Sequence, residues 1–190
     1  MDVKQVNSAD WWDEIHDAYL ERDDLRIRDE EFSTLRNYIL GGPVLEIGPA
    51  FGEFTKYLDY SIHYLGLDIC PKLIDSARER HPNRIFVCGN ALNLEKHQWD
   101  KAFKHTVAMQ VLEHFTWPDF NKIMQNIKNV TKHSLIFSVP KGEANEKTAQ
   151  KNGHLIGWQT EEELVKCFSE YGLVVLAPCD ENHIVGALLY

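Results

Sequence analysis

Short, nearly solid apolar runs alternate along this chain with longer stretches in which apolar residues recur at helical spacing. The runs at 44–47, 64–68, 85–87, 106–110, 134–139, 173–177 and 184–190 predict seven strands, mostly buried on both faces. Between them, Phe32, Leu35 and Ile39 form one helical stripe, and Leu73, Ile74 and Ala77 another. Trp117, Phe120, Ile123, Met124, Ile127 and Val130 form a longer core-facing stripe, and Leu164, Phe168 and Tyr171 the last. Punctuation agrees with these boundaries. Ser8 is placed to cap a first helix carrying Trp11, Trp12, Ile15 and Tyr19, and Gly41-Gly42-Pro43 stops the second. Pro71 sits where a first-turn proline is tolerated, Pro140 ends the fifth strand, and Thr160 and Glu163 have capping-box spacing before a stop at Gly172. The charged stretch 21–31 reads as a solvated connection, and the polar stretch 141–152 as a mobile loop.

Strands that alternate with helices predict an α/β fold: a Rossmann-like, seven-stranded, mostly parallel sheet with helices on both faces. The last two strands have no long helix between them and read as an antiparallel C-terminal hairpin. Ligands in such sheets bind beyond the C-terminal strand ends, at the switch in strand order. Glu46 to Gly52, Asp68, Asn90 and Gln110 all fall at such ends, so four separated stretches converge on one crevice.

The first of those ends carries the most chemistry. Val44-Leu45-Glu46-Ile47 runs into Gly48-Pro49-Ala50-Phe51-Gly52, and an amphipathic segment follows with Phe54 and either Tyr57 or Leu58 turned inward. This is a buried strand feeding a helix through a turn tight enough to admit a ligand. Glycine permits positive φ and leaves no Cβ between backbone and ligand. A dinucleotide turn wants G-x-G-x-x-G, and here Ala50 and Glu53 occupy the second and third glycine positions. The spacing G-x-G-x-G fits better, with Gly48, Ala50 as a small substitute, and Gly52. Glu53 would repel a pyrophosphate at a helix N-terminus, and Glu46 likewise suits an ammonium or sulfonium over a diphosphate. Asp68, twenty positions beyond Gly48, completes a pocket for an adenosine-bearing cofactor.

The run LEIGPAFGEFT resembles motif I of the class I S-adenosylmethionine-dependent methyltransferases. YLGLDIC (Tyr64 to Cys70) resembles their second strand, IFVCGNALNL (Ile85 to Leu94) their third strand and adenine loop, and VAMQVLEHF (Val107 to Phe115) their fourth. The four together span about residues 43–190, with Pro49, Ala50 and Asn90 as departures from the usual pattern. The resemblance implies S-adenosyl-L-methionine as cofactor, a catalytic domain at 43–190 and a helical lid at 1–42 that includes Trp11, Trp12 and Tyr19. It implies that Asp68 accepts both ribose hydroxyls, that Gly48, Pro49, Ala50 and Gly52 border the methionine portion, and that Asn90, Ala91 and Ile69 line the adenine pocket. Glu46 meets the donor's amino group or holds the turn by accepting backbone N–H groups. Gln110 and Val111 lie near the point of methyl delivery. His114, His154 and Trp158 stand on the acceptor side, where a neutral imidazole can take a proton from an oxygen or nitrogen nucleophile. The polar segment leading to Trp158 shapes the acceptor site.

Composition narrows the partners. A chain of 190 residues suits one well-buried domain. A formal net charge of −9 argues against broad nucleic-acid binding, which needs Lys and Arg against phosphates. No apolar run is long enough to span a bilayer, and the acidic N-terminus lacks a secretory layout. Cys70, Cys88, Cys167 and Cys179 are scattered without C-x-x-C spacing. They read as packing residues in a reducing, cytoplasmic compartment, and no metal site is expected. The expectation is a methyltransferase acting on an O, N or C nucleophile of a small molecule, as a monomer or homodimer. The alternatives are a protein or nucleic-acid methyltransferase, or a catalytically inactive S-adenosylmethionine-binding regulatory module.

Overall fold

The computed structural model describes residues 8–20 and 28–190. One sheet organises it: β1 (Val44–Ile47), β2 (Tyr64–Asp68), β3 (Ile85–Cys88), β4 (Phe103–Met109), β5 (Thr131–Pro140), β6 (Leu173–Ala177) and β7 (His183–Leu189). Their order is β3-β2-β1-β4-β5-β7-β6. All pairings are parallel except those of β7, which runs against β5 and β6. The chain moves outward from β1 through β2 to β3, then returns to lay β4 on the other side of β1. The cleft at that reversal, beyond the ends of β1 and β4, is where a ligand meets backbone from both halves.

Period-two alternation along the strands sends successive residues to opposite faces. Leu45, Ile47, Leu67, Leu135, Phe137 and Val139 join one core with α4 (Trp117–Val130) and α6 (Glu161–Phe168). Val44, Val107, Met109, Ile136 and Val185 join another with α2 (Arg28–Arg36) and α3 (Pro71–Arg80). Phe120, Phe168 and Leu35 are completely buried, each contributing roughly 1.5–3 kcal/mol by its removal from water. The caps follow the sequence. Ser8 Oγ accepts from Trp11 N at the start of α1 (Ala9–Leu20), Thr116 caps α4, and Thr160 caps α6. Cys70 caps α3 with Pro71 in its first turn.

Several expectations are corrected. The segment after Gly52 is a 3-10 helix, Glu53–Tyr57, instead of an α-helix. The link from β1 to β2 leaves no room for more: Leu58 already has extended dihedrals, and Asp59 closes a turn by accepting from Ser61 N at 2.8 Å. Phe54 and Leu58 are buried as anticipated, with Tyr57 beside them. The stretch expected to be a mobile loop contains α5 (Glu146–Asn152), which buries no side chain and so leaves no apolar stripe. Its signal is instead a capping box, Asn145 with Thr148, closed by Gly153 at φ 74. Residues 28–31, read as solvated connection, belong to α2, and Glu31 is 4% exposed; residues 21–27 of that stretch lie outside the described residues. Trp117 sits in the first turn of α4 and is 48% exposed, so it leaves the core stripe. Cysteine packing holds for Cys70 and partly for Cys167. Cys88, at the end of an edge strand, and Cys179, in the β6–β7 connection, are exposed.

Candidate active site

The strand ends open on a cavity of about 530 Å³. Gly48 and Ala50 form one wall, and Asp68 with Ile69 another. Asn90 with Ala91, then Gln110 with Val111 and His114, close the remaining sides. Nine of the residues expected at the site therefore share one space. Four others lie outside its lining: Glu46, Pro49, Gly52 and His154.

The turn after β1 shapes the first wall. Gly48 adopts φ +68, and a Cβ there would lie 2.5 Å from Val111 Cγ2, so the turn and the end of β4 pack at backbone contact. Ala50 follows at φ 47, a left-handed conformation unusual for a residue with a side chain. The Ala50 N–H donates to Asp68 Oδ2 at 3.2 Å, and the Cys70 N–H donates to Asp68 Oδ1 at 3.0 Å. Two backbone donors thus aim the Asp68 carboxylate. Burial nevertheless dominates and pushes its pKa up from 3.8 to about 6 against those donors. Gly52 supports the turn from behind: at φ +77, its missing Cβ leaves room for Phe86 and His81.

Glu46 points to the opposite face of the sheet. It is 3% exposed, and its Oε2 accepts the Tyr64 hydroxyl. This contact ties β1 to β2 through a side-chain partner. Burial and the Glu46 carboxylate push the Tyr64 phenol well up, so it stays a hydrogen-bond donor. Asn90 uses its Oδ1 to cap the 3-10 helix Ala91–His97, accepting from Leu92 N at 2.8 Å. Gln110, at φ 54, donates through Nε2 to Glu31 Oε1 at 3.3 Å and to Ser138 Oγ at 3.2 Å. The partnership with Glu31 spans 79 positions, and no local pattern marks it.

The wall expected to face the acceptor consists of the 3-10 helix Leu112–His114 and the segment after α5. His114 Nδ1 lies 3.1 Å from the Gly153 carbonyl, which can only accept, so Nδ1 carries the proton and Nε2 the lone pair. Trp12 meets the His114 ring edge-on at 5.0 Å, and His154 approaches it at 5.2 Å. Glu113 is completely buried, with Oε1 3.9 Å from His114 Nε2. Trp158, expected on the acceptor side, is 2% exposed and packs against Phe120 and Phe168. The rings of Phe120, Phe168 and Trp117 around it draw its bulk into the aromatic core. Leu155 represents that segment in the cavity wall.

The first helix contributes to the cavity wall. Ser8, Ala9 and Trp12 line the cavity; the side chain of Tyr19 lies outside the described residues. Helix α1 is fastened to α3 by Cys70 Sγ donating to Asp13 Oδ1 at 2.9 Å and by Lys72 Nζ donating to the Asp13 carbonyl at 3.0 Å. Burial and Asp13 push the Cys70 thiol up to about 12, which keeps the proton that this contact needs. Sequence reasoning missed Asp13, and also Thr116 and Asp119, whose paired side chains border the cavity at the start of α4. The capping motif was the available signal for that pair.

Comparison with known proteins places this geometry. Residues 45–138 match a family described as a methyltransferase domain. A comparison with curated proteins finds no match. Among solved structures, PH0226 from Pyrococcus horikoshii is similar at 18% identity and a TM-score of 0.74, covering 90% of this chain and 92% of that one. A DhpI complex with SAH is similar at 13% identity and a TM-score of 0.75, covering 97% and 95%. The magnesium protoporphyrin IX methyltransferase ChlM from Synechocystis, with bound SAM, is similar at 13% identity and a TM-score of 0.71, covering 100% and 97%. Residues 45–138 thus carry a methyltransferase domain, on a fold that the chain shares along nearly its whole length with solved structures that include S-adenosylmethionine-dependent methyltransferases.

Proposed function

We infer that the chain binds S-adenosyl-L-methionine in the strand-end cavity and transfers its methyl group to a small-molecule acceptor. The observation that carries this reading is the buried Asp68 carboxylate, held in the cavity wall by the Ala50 and Cys70 N–H groups. An acid so placed, with a left-handed turn beside it, fits the vicinal hydroxyls of a ribose better than any phosphate. The volume suits a nucleoside with an amino-acid tail, and Gly48 lets that tail lie against bare backbone. Asn90, Ala91 and Ile69 would enclose the adenine, with the Asn90 amide N–H groups turned to its edge. Gln110 and Val111 would bound the methionine portion.

When bound, the cofactor supplies a methyl group already activated on a sulfonium. What the protein adds is alignment, which contributes up to roughly 7–11 kcal/mol in well-arranged systems. Trp12 and α1 form a lid that excludes water, and His114 faces the same space with its Nε2 lone pair available for a proton. His154 stands behind it on the acceptor side. DhpI and ChlM, with SAH or SAM bound on the same architecture, support this reading, as does a formal net charge of −9, which disfavours a nucleic-acid acceptor. The test is calorimetry with S-adenosylmethionine and S-adenosylhomocysteine, followed by turnover of labelled donor on a panel of hydroxylated, amino and enolisable metabolites. Donor binding with transfer to one acceptor is the expected result. No binding of either cofactor form refutes it.

A further inference from the structure

Three potential metal donors meet beside the cavity: a Glu113 oxygen and one ring nitrogen each of His114 and His154, all within 4.8 Å of one another, with His114 Nε2 3.9 Å from Glu113 Oε1. We propose that they form a site for one divalent first-row transition ion, which holds and activates an oxygen of the methyl acceptor. The ion itself rests only on this cluster; its use in catalysis rests on the methyl-transfer reading.

The donor set has the right chemistry. Two imidazoles and one carboxylate suit zinc, manganese, iron, cobalt or nickel, whereas calcium and magnesium prefer oxygen alone. Three protein ligands leave coordination positions open, as in catalytic sites and unlike the closed sets of structural ones. His114 lines the cavity, so the open positions face the space assigned to the acceptor. Glu113 is completely buried, so its carboxylate is held in place beside the two imidazoles.

The frame around the cluster is rigid. The Gly153 carbonyl accepts from His114 Nδ1, fixing the tautomer that presents Nε2 as a lone pair, the usual arrangement for a metal-bound histidine. The Glu113 carbonyl accepts from Leu155 N at 2.7 Å and Ile156 N at 3.2 Å. His154 is therefore clamped by hydrogen bonds from both of its neighbours onto the helix that carries the other two donors. Glu113 and His114 are adjacent in sequence, and their helix follows β4 directly, so the site is anchored to the sheet next to Gln110 and Val111.

The consequence for substrate is definite. A bound ion lowers the pKa of a coordinated hydroxyl. The acceptor's hydroxyl proton passes to bulk water and its oxygen bonds to the methyl carbon. The carbon–sulfur bond breaks, its electron pair staying on sulfur as S-adenosylhomocysteine. The acceptor class is thereby a phenol, enol or hydroxy acid with an ion-binding oxygen. Under this assignment the two histidines are ligands and take no proton.

The test uses the full chain, stripped with chelator and titrated separately with Co²⁺, Mn²⁺ and Zn²⁺ and no donor or acceptor present. One ion per chain is expected, with visible cobalt bands and micromolar affinity. His154→Gln, on a half-buried side chain, should weaken binding by tenfold or more, and Glu113→Gln should do the same. Because Glu113→Gln can fail to fold, circular dichroism and S-adenosylhomocysteine affinity are measured on every variant. His154→Gln should shift that affinity less than about threefold, a small change on the tenfold-per-1.4 kcal/mol scale. Failure of all three ions to bind below about 1 mM, an affinity of only roughly 4 kcal/mol, overturns the proposal. Binding that His154→Gln leaves unchanged overturns it equally. Ion binding in a chain that binds no donor leaves the metal site standing and refutes the methyl-transfer reading alone.

Discussion

Asp68 should make the unliganded protein less stable in the pH range where it makes the donor bind better. Its folded pKa is raised to about 6 from 3.8, chiefly by burial. Between those values the folded state holds a proton that the unfolded state has released, so stability falls as pH rises through the window. The shift is about 2 units, and at 1.36 kcal/mol per unit it amounts to about 3 kcal/mol in all, of which about 2 kcal/mol is lost between pH 4 and pH 7. Ribose recognition runs the other way, since only the ionised carboxylate offers acceptors to both hydroxyls. The perturbation is Asp68→Asn. The amide strands one of the Ala50 and Cys70 donors, but that cost is independent of pH and cancels from the slope. The assay is urea denaturation of both proteins from pH 4 to pH 8, taking the difference in unfolding free energy at each pH. The variant should gain about 2 kcal/mol on wild type across the range, with the change centred between pH 4 and pH 6. S-adenosylhomocysteine affinity of wild type should rise through pH 6, while the variant binds weakly at every pH. A difference curve flat in pH refutes the buried titration, and unchanged affinity in the variant refutes the ribose assignment.

Gly48→Ala forces a side chain into left-handed φ and against Val111 Cγ2, and should cost about 2–4 kcal/mol in thermal denaturation together with donor affinity. An unaltered melting temperature would show that the turn and β4 do not meet as described. His105 is buried, accepts from Leu40 N through Nε2 and contacts Ser134 Oγ, and burial lowers its pKa to about 4. A folded pKa below 6.5 supplies stability that is present above pH 6.5 and lost as pH falls through 4, so the advantage of wild type over His105→Gln should shrink with acidification. This slope opposes that of Asp68, which is why each is measured as a difference from its own variant. Asn145→Ala should loosen α5 by about 1 kcal/mol. Faster hydrogen exchange confined to residues 146–152, with donor affinity unchanged, is the expected signature.

The sequence carried most of the sheet because strand signals are local. Apolar runs at 44–47 and 173–177 coincide with β1 and β6, and the absence of a helix before the last strand marked the antiparallel pair. β4 and β5 begin earlier than their apolar runs, because Lys104, Lys132 and His133, at the register shift between Phe103 and His105, belong to these strands without being hydrophobic. The donor side was legible for the same reason: Gly48, Asp68 and Asn90 sit at strand ends, where their roles are set by the strand before them. The β1–β2 link was misread because the helix signal of Phe54, Tyr57 and Leu58 is equally that of a single 3-10 turn.

The acceptor side was less legible, since it depends on contacts between distant segments. His114 and Gly153 are 39 positions apart, and Gln110 and Glu31 are 79. Neither pairing leaves a period or a spacing to read. Glu113 shows the limit most clearly: in sequence it is a charged residue before a histidine, and only the fold turns it completely inward. Trp158 errs in the opposite sense, an aromatic in a polar stretch that the sheet draws into its core. A short chain has few residues with which to build an acceptor pocket. Under the proposed function that pocket takes its wall from the strand-end helix Leu112–His114 and its clamp from the segment after α5, where two otherwise unremarkable loops are hydrogen-bonded into one unit. Exchanging residues 153–156 should therefore alter acceptor preference while leaving donor affinity in place.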